Sequence, residues 1–240
     1  MVFDIVKIPK KITPSPIVEA ILELRFEADV PADALLGMLY PGFTNKFPKL
    51  EKLSILQLPE PIRESDPALK FSPHYRLSNE EFLLQIGPQA ISVICPNEYK
   101  GWDRFFNEIK DSFDEIFKLK IIKKPIRIGL RYIDFFADMD IFPKLKIDLK
   151  LGQKSLIGEN NILRTEFSSD GFRNVLQIAN KAKMKKKVSG STIDIDVIFE
   201  DSSKITADFN ALVDKAHNCS KRLFFGILEE EFLNTFNPEY

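Results

Sequence analysis

The stretch Phe82–Lys120 decides the predicted fold. It opens with Phe82-Leu83-Leu84-Gln85-Ile86, turns at Gly87-Pro88, and continues as Ala90-Ile91-Ser92-Val93-Ile94. Two apolar runs on either side of a Gly-Pro pair predict a β-hairpin. If Gly87 and Pro88 are the two turn residues, Leu84 faces Ile91 and Phe82 faces Val93.

A helix with one aromatic face is predicted directly after this hairpin. Asn97 suits its N-cap, and we expect the helix to run from about Tyr99 to Leu119. The spacing of three and four places one apolar stripe on the helix, and a stripe of this kind belongs to a core rather than to a ligand pocket. The stripe consists of Tyr99, Trp102, Phe105, Phe106, Ile109, Phe113, Ile116 and Phe117.

Upstream of the hairpin, the chain alternates apolar and polar residues from Pro16 to Glu27, which predicts a long strand. Pro31 suits the first turn of a short helix, and we expect Pro41-Gly42 to end it. A Pro-rich excursion follows at Ser54–Tyr75, either as a surface wrap or as a lid.

The second half contains further strands and a second long helix. The helix is predicted at Ala207–Leu228, capped by Thr206, with a break near Gly226–Glu230. A connection at Asp140–Lys144 marks the expected boundary between the halves. One further strand, Ile126–Phe136, is predicted before this boundary, and the strands predicted after it are Lys144–Leu151, Leu163–Phe167, Arg173–Met184 and Thr192–Phe199.

We therefore expect an α+β protein of two similar halves, residues 1–140 and 141–240. In each half an antiparallel, curved sheet packs on a long amphipathic helix. Leu-Gln-Ile at 84–86 and 176–178 is the shared sequence trace of this internal repeat, which duplication and convergence explain equally well. A single sheet through both halves is the alternative topology.

Composition excludes several classes of protein. Hydrophobic residues make up 44% of the chain, so we expect a folded core, and a net charge of −1 gives no general attraction to nucleic acid or membrane. Two cysteines and two histidines exclude a disulfide framework and a Cys- or His-rich metal site. No signal peptide or 18-residue apolar run is apparent, so we expect a cytoplasmic protein.

Charged residues on strand faces form the first candidate site. Glu19, Glu23 and Arg25 share a face of the first strand, while Arg127 and Arg131 share a face of the Ile126–Phe136 strand. If the strands are neighbours, these groups form either a structural ion-pair ladder or a cleft in which the arginines bind an anion.

Asp214 and His217 form the second candidate. They are three positions apart on the last long helix, so the carboxylate can orient the imidazole. The spacing assigns no nucleophile to the pair, and a satisfied interfacial histidine is the simpler interpretation. We assign no catalytic residue.

A run of lysines from Lys181 to Lys187 is the third candidate. If a turn lies at residues 187–190, Lys183 stands opposite Asp194 and Lys181 opposite Asp196, which is typical of a solvated sheet face. The remaining lysines, Lys185–Lys187, could bind nucleic acid.

Four motifs occur in a characteristic order: Pro16-Ile17-Val18-Glu19-Ala20-Ile21, Gly129-Leu130-Arg131-Tyr132-Ile133-Asp134, Asp194-Ile195-Asp196 and Asp214-x-x-His217. This pattern resembles an uncharacterised, sporadically distributed prokaryotic family, from about Pro16 to about Phe236. The family has no established activity, cofactor or partner, and its patchy distribution implies an accessory or defence role. The resemblance draws attention to Arg131, Asp134 and His217.

The sequence thus favours a non-enzymatic binding protein for a protein partner or a small anionic ligand. The alternatives are an enzyme for an anionic or phosphorylated substrate held by arginines, and nucleic-acid binding. We expect no cofactor, no metal and no membrane association. The 21 phenylalanines are compatible with a homodimer through surplus apolar surface.

Overall fold

The structure is a computed structural model that describes residues 7–183 and 188–240. Within these residues the helices are α1 (Ala32–Phe43), α2 (Glu60–Ser65), α3 (Trp102–Lys118), α4 (Ser202–Ile227) and α5 (Glu230–Asn234), with 3₁₀ turns at Ser54–Gln57 and Phe142–Lys144. The strands are β1 (Ile17–Ala28), β2 (Lys49–Lys52), β3 (Tyr75–Ser78), β4 (Leu83–Ile86), β5 (Ala90–Pro96), β6 (Ile122–Ala137), β7 (Lys150–Leu151), β8 (Lys154–Ser155), β9 (Ile162–Ser169), β10 (Phe172–Lys183) and β11 (Ser189–Phe199).

The fold is α+β, with a large antiparallel sheet and a long C-terminal helix, α4. Nine strands follow the order β2-β3-β4-β5-β1-β6-β11-β10-β9, and β7 pairs separately with β8. Consecutive strands pair antiparallel from β2 to β5 and from β9 to β11. Short connections between sequential strands favour such pairing of neighbours, but β2 and β3 are joined through the Pro-rich excursion, which contains α2.

Contacts divide the chain into two compact units. Unit 1 consists of Met1–Glu19, Arg131–Ile198 and Lys215–Tyr240, as far as these ranges are described. Its core combines alternate residues of β10 and β11 with apolar residues of α4, and Phe136 contacts Phe232 with ring centroids 5.8 Å apart. The alternation along β10 and β11 confirms the strands predicted there.

Unit 2 consists of Ala20–Leu130 and Phe199–Asp214. Its core is built on the predicted inner face of β1, whose side chains at Ala20, Leu22, Leu24 and Phe26 are fully buried. The predicted aromatic stripe of α3 also faces this core, where Phe113 contacts Phe209 at 4.7 Å between ring centroids. The fold of unit 2 therefore follows the periodicity of its sequence.

The central hairpin has a different register from the one predicted. Leu84 pairs with Val93 and Ile86 with Ile91, so Pro88 and Gln89 form the turn. The Gly87 N–H donates to the Ala90 carbonyl at 2.8 Å. A Cβ atom on Gly87 would lie 2.6 Å from the Ser72 carbonyl oxygen. Glycine is thus required here for close backbone approach, not for turn conformation.

Two of the predicted helix boundaries are wrong. α1 continues through Pro41 to Phe43, because the missing N–H falls near the C-terminus of the helix, one turn after the exposed residue Gly37. α3 begins at Trp102, not near Tyr99, because Asn97 and Gly101 both adopt positive φ angles before the helix starts.

The last long helix also begins earlier than predicted. Asp201 accepts a hydrogen bond from the Ser203 N–H at 3.1 Å and so caps α4 in place of Thr206. Asp208, with φ −128° and ψ 28°, interrupts the helix. The break predicted near Gly226–Glu230 is confirmed, since α4 ends at Ile227 and α5 starts at Glu230.

The predicted strand Lys144–Leu151 is mostly absent. Leu145 is buried and forms an isolated β-bridge with Leu228. Of the predicted strand, only Lys150–Leu151 is a strand, the short β7. Leu151 is 73% exposed. Alternating side chains alone do not make a strand where no neighbouring strand offers a continuous ladder.

Candidate functional site

Glu23 is the centre of an ion cluster in unit 2. Arg25 Nε donates to Glu23 Oε1 at 2.6 Å, and Arg127 Nη2 donates to the same oxygen at 3.3 Å. The three side chains are 16–29% exposed. The ring of Phe71, from the Pro-rich excursion, lies 4.4 Å from the Arg25 guanidinium. The excursion therefore contacts this cluster through a cation–π interaction.

Arg131 is held by a bidentate ion pair in unit 1. Its Nε and Nη2 donate to the two carboxylate oxygens of Asp194, at 2.8 and 2.5 Å. This hydrogen bonding raises the pKa of Arg131, and the negative charges of Asp196 and Glu19 add to the effect. An anion could engage this face of the guanidinium only by displacing Asp194.

The predicted pairing of Lys183 with Asp194 and of Lys181 with Asp196 is wrong. Asp194 stands opposite Gln177, and Lys183 stands opposite Ser189. The register already differs at the last described pair, Lys183 with Ser189, and the bulge between Ala179 and Ala182 shifts the following pairs by one residue more. Lys185–Lys187, the candidate nucleic-acid contact, lie outside the described residues.

Two ionisable side chains lie at the inner face of β6 in unit 1: Asp134 of β6 itself and His217 of α4, which contacts Tyr132 of β6. Asp134 is buried, and desolvation, followed by the negative charge of Asp194, raises its pKa well above the usual value. His217 Nδ1 lies 2.9 Å from the Tyr132 hydroxyl. Burial, helped by the charge of Lys221, lowers the pKa of His217 to about 3. His217 is therefore uncharged at neutral pH, and burial favours the protonated form of Asp134.

Asp214, the predicted partner of His217, accepts a hydrogen bond from Trp102 Nε1 at 3.2 Å within unit 2. This contact anchors the start of α3 to α4. Within the described ranges, no group of three or more His, Cys, Asp or Glu side chains could hold a metal ion. The same ranges contain no helix long and apolar enough to cross a membrane.

Among the described residues, strand β9 of unit 1 is the last strand in the sheet order, so one of its edges has backbone N–H and C=O groups that do not pair with another strand of the sheet. β9 pairs with β10 along its whole length, from Ile162 with Ala179 to Ser169 with Phe172. The turn residues Asp170 and Gly171 have φ angles of 55° and 81°, as a tight hairpin requires. In the part of the chain that the structure describes, no strand follows β9 on its other side.

Backbone alternation decides which residues of β9 face outward. Ser169 and Phe172 close the turn as a hydrogen-bonded pair, and the Asn180 N–H donates to the Asn161 carbonyl at 3.3 Å in the same register. Hydrogen-bonded pairs recur at every second residue, so the odd-numbered positions of β9 bond to β10. The even-numbered positions direct their N–H and C=O groups away from the sheet.

Most side chains of β9 are exposed, and none is a proline that would prevent pairing at this edge. Ile162 is 74% exposed, and Arg164 and Glu166 form an exposed ion pair at 2.6 Å. Leu163 and Phe167 are half-buried on the core side. The strand contains neither proline nor lysine, the residues that commonly block an edge. The sequence predicted the strand but not its place at the edge, because strand order is a long-range property.

Neither a family model nor a curated protein sequence matches this chain.

Proposed function

We propose that this protein is a non-enzymatic interaction module that binds its partner by adding a strand to β9. One observation carries the proposal: an edge strand of eight residues, Ile162–Ser169, directs backbone donors and acceptors away from the rest of the sheet. Main-chain hydrogen bonds to such an edge supply affinity, and side chains at alternate positions supply specificity.

The ionic candidates support this choice over an anion-dependent enzyme. Arg131 already donates two hydrogen bonds to Asp194, and Arg25 and Arg127 both donate to Glu23. An anionic substrate would have to compete with carboxylates that are covalently tethered nearby and partly shielded from water. Half-buried ion pairs of this kind are typical of a structural ladder on a sheet face.

The strand at the opposite edge of the sheet, β2, differs from β9 in length and in lysine content. β2 (Lys49–Lys52) has four residues and carries a lysine at each end. Short length and lysines are common protections against unwanted strand pairing. β9 has twice that length and neither protection, which supports a binding role for this edge.

Substitution of proline for Arg164 tests the proposal. Arg164 is an even-numbered position, so proline removes only an outward N–H group and leaves the pairing with β10 intact. The full chain is co-expressed with each protein encoded beside it, and complexes are measured by size-exclusion chromatography with light scattering. We expect the wild type to form a complex of defined stoichiometry, with a neighbour or with itself, and Arg164→Pro to lose it.

Two control variants separate backbone pairing from other effects. Leu50→Pro places the same residue at an outward-facing position of β2 and should retain the complex. Arg164→Ala keeps the outward N–H and should weaken the complex less than Arg164→Pro. A complex that survives Arg164→Pro, or the lack of any complex at about 100 μM, would refute strand addition at β9.

Several sequence-based expectations remain predictions beside this proposal: the similarity of residues 1–140 to residues 141–240, the relation to a prokaryotic family with an accessory or defence role, and a cytoplasmic location. A small anionic ligand at Arg127 or Arg131, and nucleic acid at Lys185–Lys187, are the competing predictions for the binding partner.

A further inference from the structure

We propose that the strand added to β9 is β9 of a second copy of this chain, paired antiparallel about a two-fold axis at Thr165. The inference rests on the proposed function and names the partner. It follows from the order of side chains along the strand, Ile-Leu-Arg-Thr-Glu-Phe-Ser-Ser.

Backbone geometry restricts the register. Hydrogen bonds between two copies need an even-numbered residue opposite an even-numbered residue, because these positions carry the outward donors and acceptors. An axis at Arg164 places that residue opposite its own copy, and an axis at Glu166 does the same for the carboxylate. Both arrangements oppose like charges directly across the strands, which is destabilising.

An axis at Thr165 instead places Arg164 of each copy opposite Glu166 of the other. Both symmetry-related pairs then combine opposite charges across hydrogen-bonded positions. Ile162 lies opposite Ser168, so part of its exposed surface is covered. Pairing from Ile162 to Ser168 supplies about eight backbone hydrogen bonds.

The core-side residues fit the same register. Leu163 of one copy lies opposite Phe167 of the other, which joins two apolar side chains that each chain leaves half-buried. Thr165 lies opposite itself at a position where side chains approach most closely, and threonine pairs are favourable there. The charge pairs, the apolar pairs and the central threonine pair therefore all favour the two-fold axis at Thr165.

Self-complementarity about one residue is what a two-fold symmetric interface requires. A strand from an unrelated protein would need none of this symmetry, because the two sides of such an interface are independent. The symmetric pattern within a single eight-residue strand therefore favours a second copy over any other occupant.

A charge-reversal series tests the register. Arg164→Glu opposes glutamates across the interface, and Glu166→Arg opposes arginines. We expect each single variant to dimerise at least about tenfold more weakly than the wild type in sedimentation equilibrium. The double variant, Arg164→Glu with Glu166→Arg, should recover wild-type dimerisation. A mixture of the two single variants should form a heterodimer, because every cross-strand pair again joins opposite charges.

Cysteine cross-linking tests the position of the axis. Thr165→Cys should form a disulfide-linked dimer under mild oxidation, because the two sulfur atoms face each other in a close pair. Leu163→Cys is the matched control: its copies lie four residues out of register and cannot be bridged. The native thiols, Cys95 and Cys219, are buried and free. A disulfide-linked dimer on non-reducing electrophoresis therefore reports cross-linking through the introduced cysteine.

The outcomes separate this inference from the proposed function. A monomeric wild type at about 100 μM, single variants as dimeric as the wild type, or equal cross-linking of both cysteine variants would refute the homodimer. If the protein is monomeric but forms a complex with another protein that Arg164→Pro abolishes, strand addition stands and the second copy is wrong. Circular dichroism checks that each variant is folded.

Discussion

Two buried carboxyl groups show how differently the two units treat an acidic side chain. Glu108 in unit 2 is 6% exposed and has two partners, with Lys46 Nζ at 2.9 Å and the Ser112 hydroxyl at 2.9 Å. Asp134 in unit 1 is 2% exposed, and desolvation raises its pKa well above the usual value. One carboxyl group is paired with a cation, whereas burial shifts the other toward its protonated form.

The surroundings of the two groups differ in the same way. Unit 2 is dominated by ring contacts, such as Phe82 with Phe105 and Phe113 with Phe209. Among the described residues, unit 1 buries six polar side chains, Asp134, Asn174, Asn180, Ser191, His217 and Ser220, and unit 2 buries four, His74, Ser92, Glu108 and Ser112. We therefore expect the stability of unit 2 to depend on packing and that of unit 1 to depend on pH.

The largest expected effect is in the aromatic core of unit 2. Phe113 is fully buried, and Phe113→Ala removes its contacts with Phe117 and Phe209 and leaves a cavity. We expect a loss of about 3–5 kcal/mol in the free energy of unfolding, measured with urea at pH 7. Phe106→Ala, at a half-buried position on the same helix, should cost about 1–2 kcal/mol. Equal losses would contradict this picture of the core.

The next effect concerns His217 and acid. Burial lowers the pKa of His217 in the folded state to about 3, whereas the unfolded chain takes up a proton near pH 6.5. Its contribution to stability is therefore present above pH 6.5 and is lost as the pH falls toward 3. Between pH 6.5 and 5 the wild type should lose about 2 kcal/mol through this group.

The variant His217→Gln should remove this part of the pH dependence, because the amide can accept the Tyr132 hydrogen bond and does not titrate. The measurement is urea unfolding at several pH values between 7 and 5. Ser220→Ala, a buried and non-titrating change on the same helix, should keep the wild-type slope. If His217→Gln keeps that slope too, the neutral, buried histidine is not the source of acid sensitivity.

The smallest effect contrasts the two carboxyl groups directly. The pKa of Asp134 is raised in the folded state, so its favourable contribution is present below about pH 3.8 and is lost as the pH rises. Asp134→Asn should therefore stabilise the protein at pH 7 by about 1 kcal/mol or more, with no gain at pH 3.

Glu108→Gln is the matched change in unit 2. It removes the charge that Lys46 binds, so it should destabilise the protein at pH 7 by about 1 kcal/mol. Thermal or urea unfolding of both variants at pH 7 gives two shifts of opposite sign. Shifts of the same sign would remove the distinction between the two carboxyl groups.

The sequence predicted correctly those helices and strands whose apolar residues recur regularly along their whole length. β1, α3, β10 and β11 show one apolar face each, and the structure buries those faces. β2 was missed because all four of its residues are exposed and carry no alternation. The strand predicted at Lys144–Leu151 had alternation but no partner, which periodicity cannot reveal.

Registers and partners were harder to predict than elements. The prediction that Lys183 pairs with Asp194 failed because Lys183 pairs with Ser189, and a bulge shifts the pairs beyond Ala182 by one residue more. Asp194 binds Arg131 from another strand instead. The proximity of Glu23, Arg25 and Arg127 was anticipated, because these residues shared predicted strand faces. The edge position of β9 depends on the order of all nine strands, so no local pattern could indicate it.

The hydrogen bond from Trp102 to Asp214 has a practical consequence. Trp102 is the single tryptophan of the chain, and both residues of the bond belong to unit 2. Intrinsic tryptophan fluorescence is therefore an optical reporter of unit 2 alone, whereas the far-ultraviolet circular dichroism signal sums over the whole chain. Melting curves that coincide by both methods would indicate cooperative unfolding of the two units, and curves that separate would show which unit melts first.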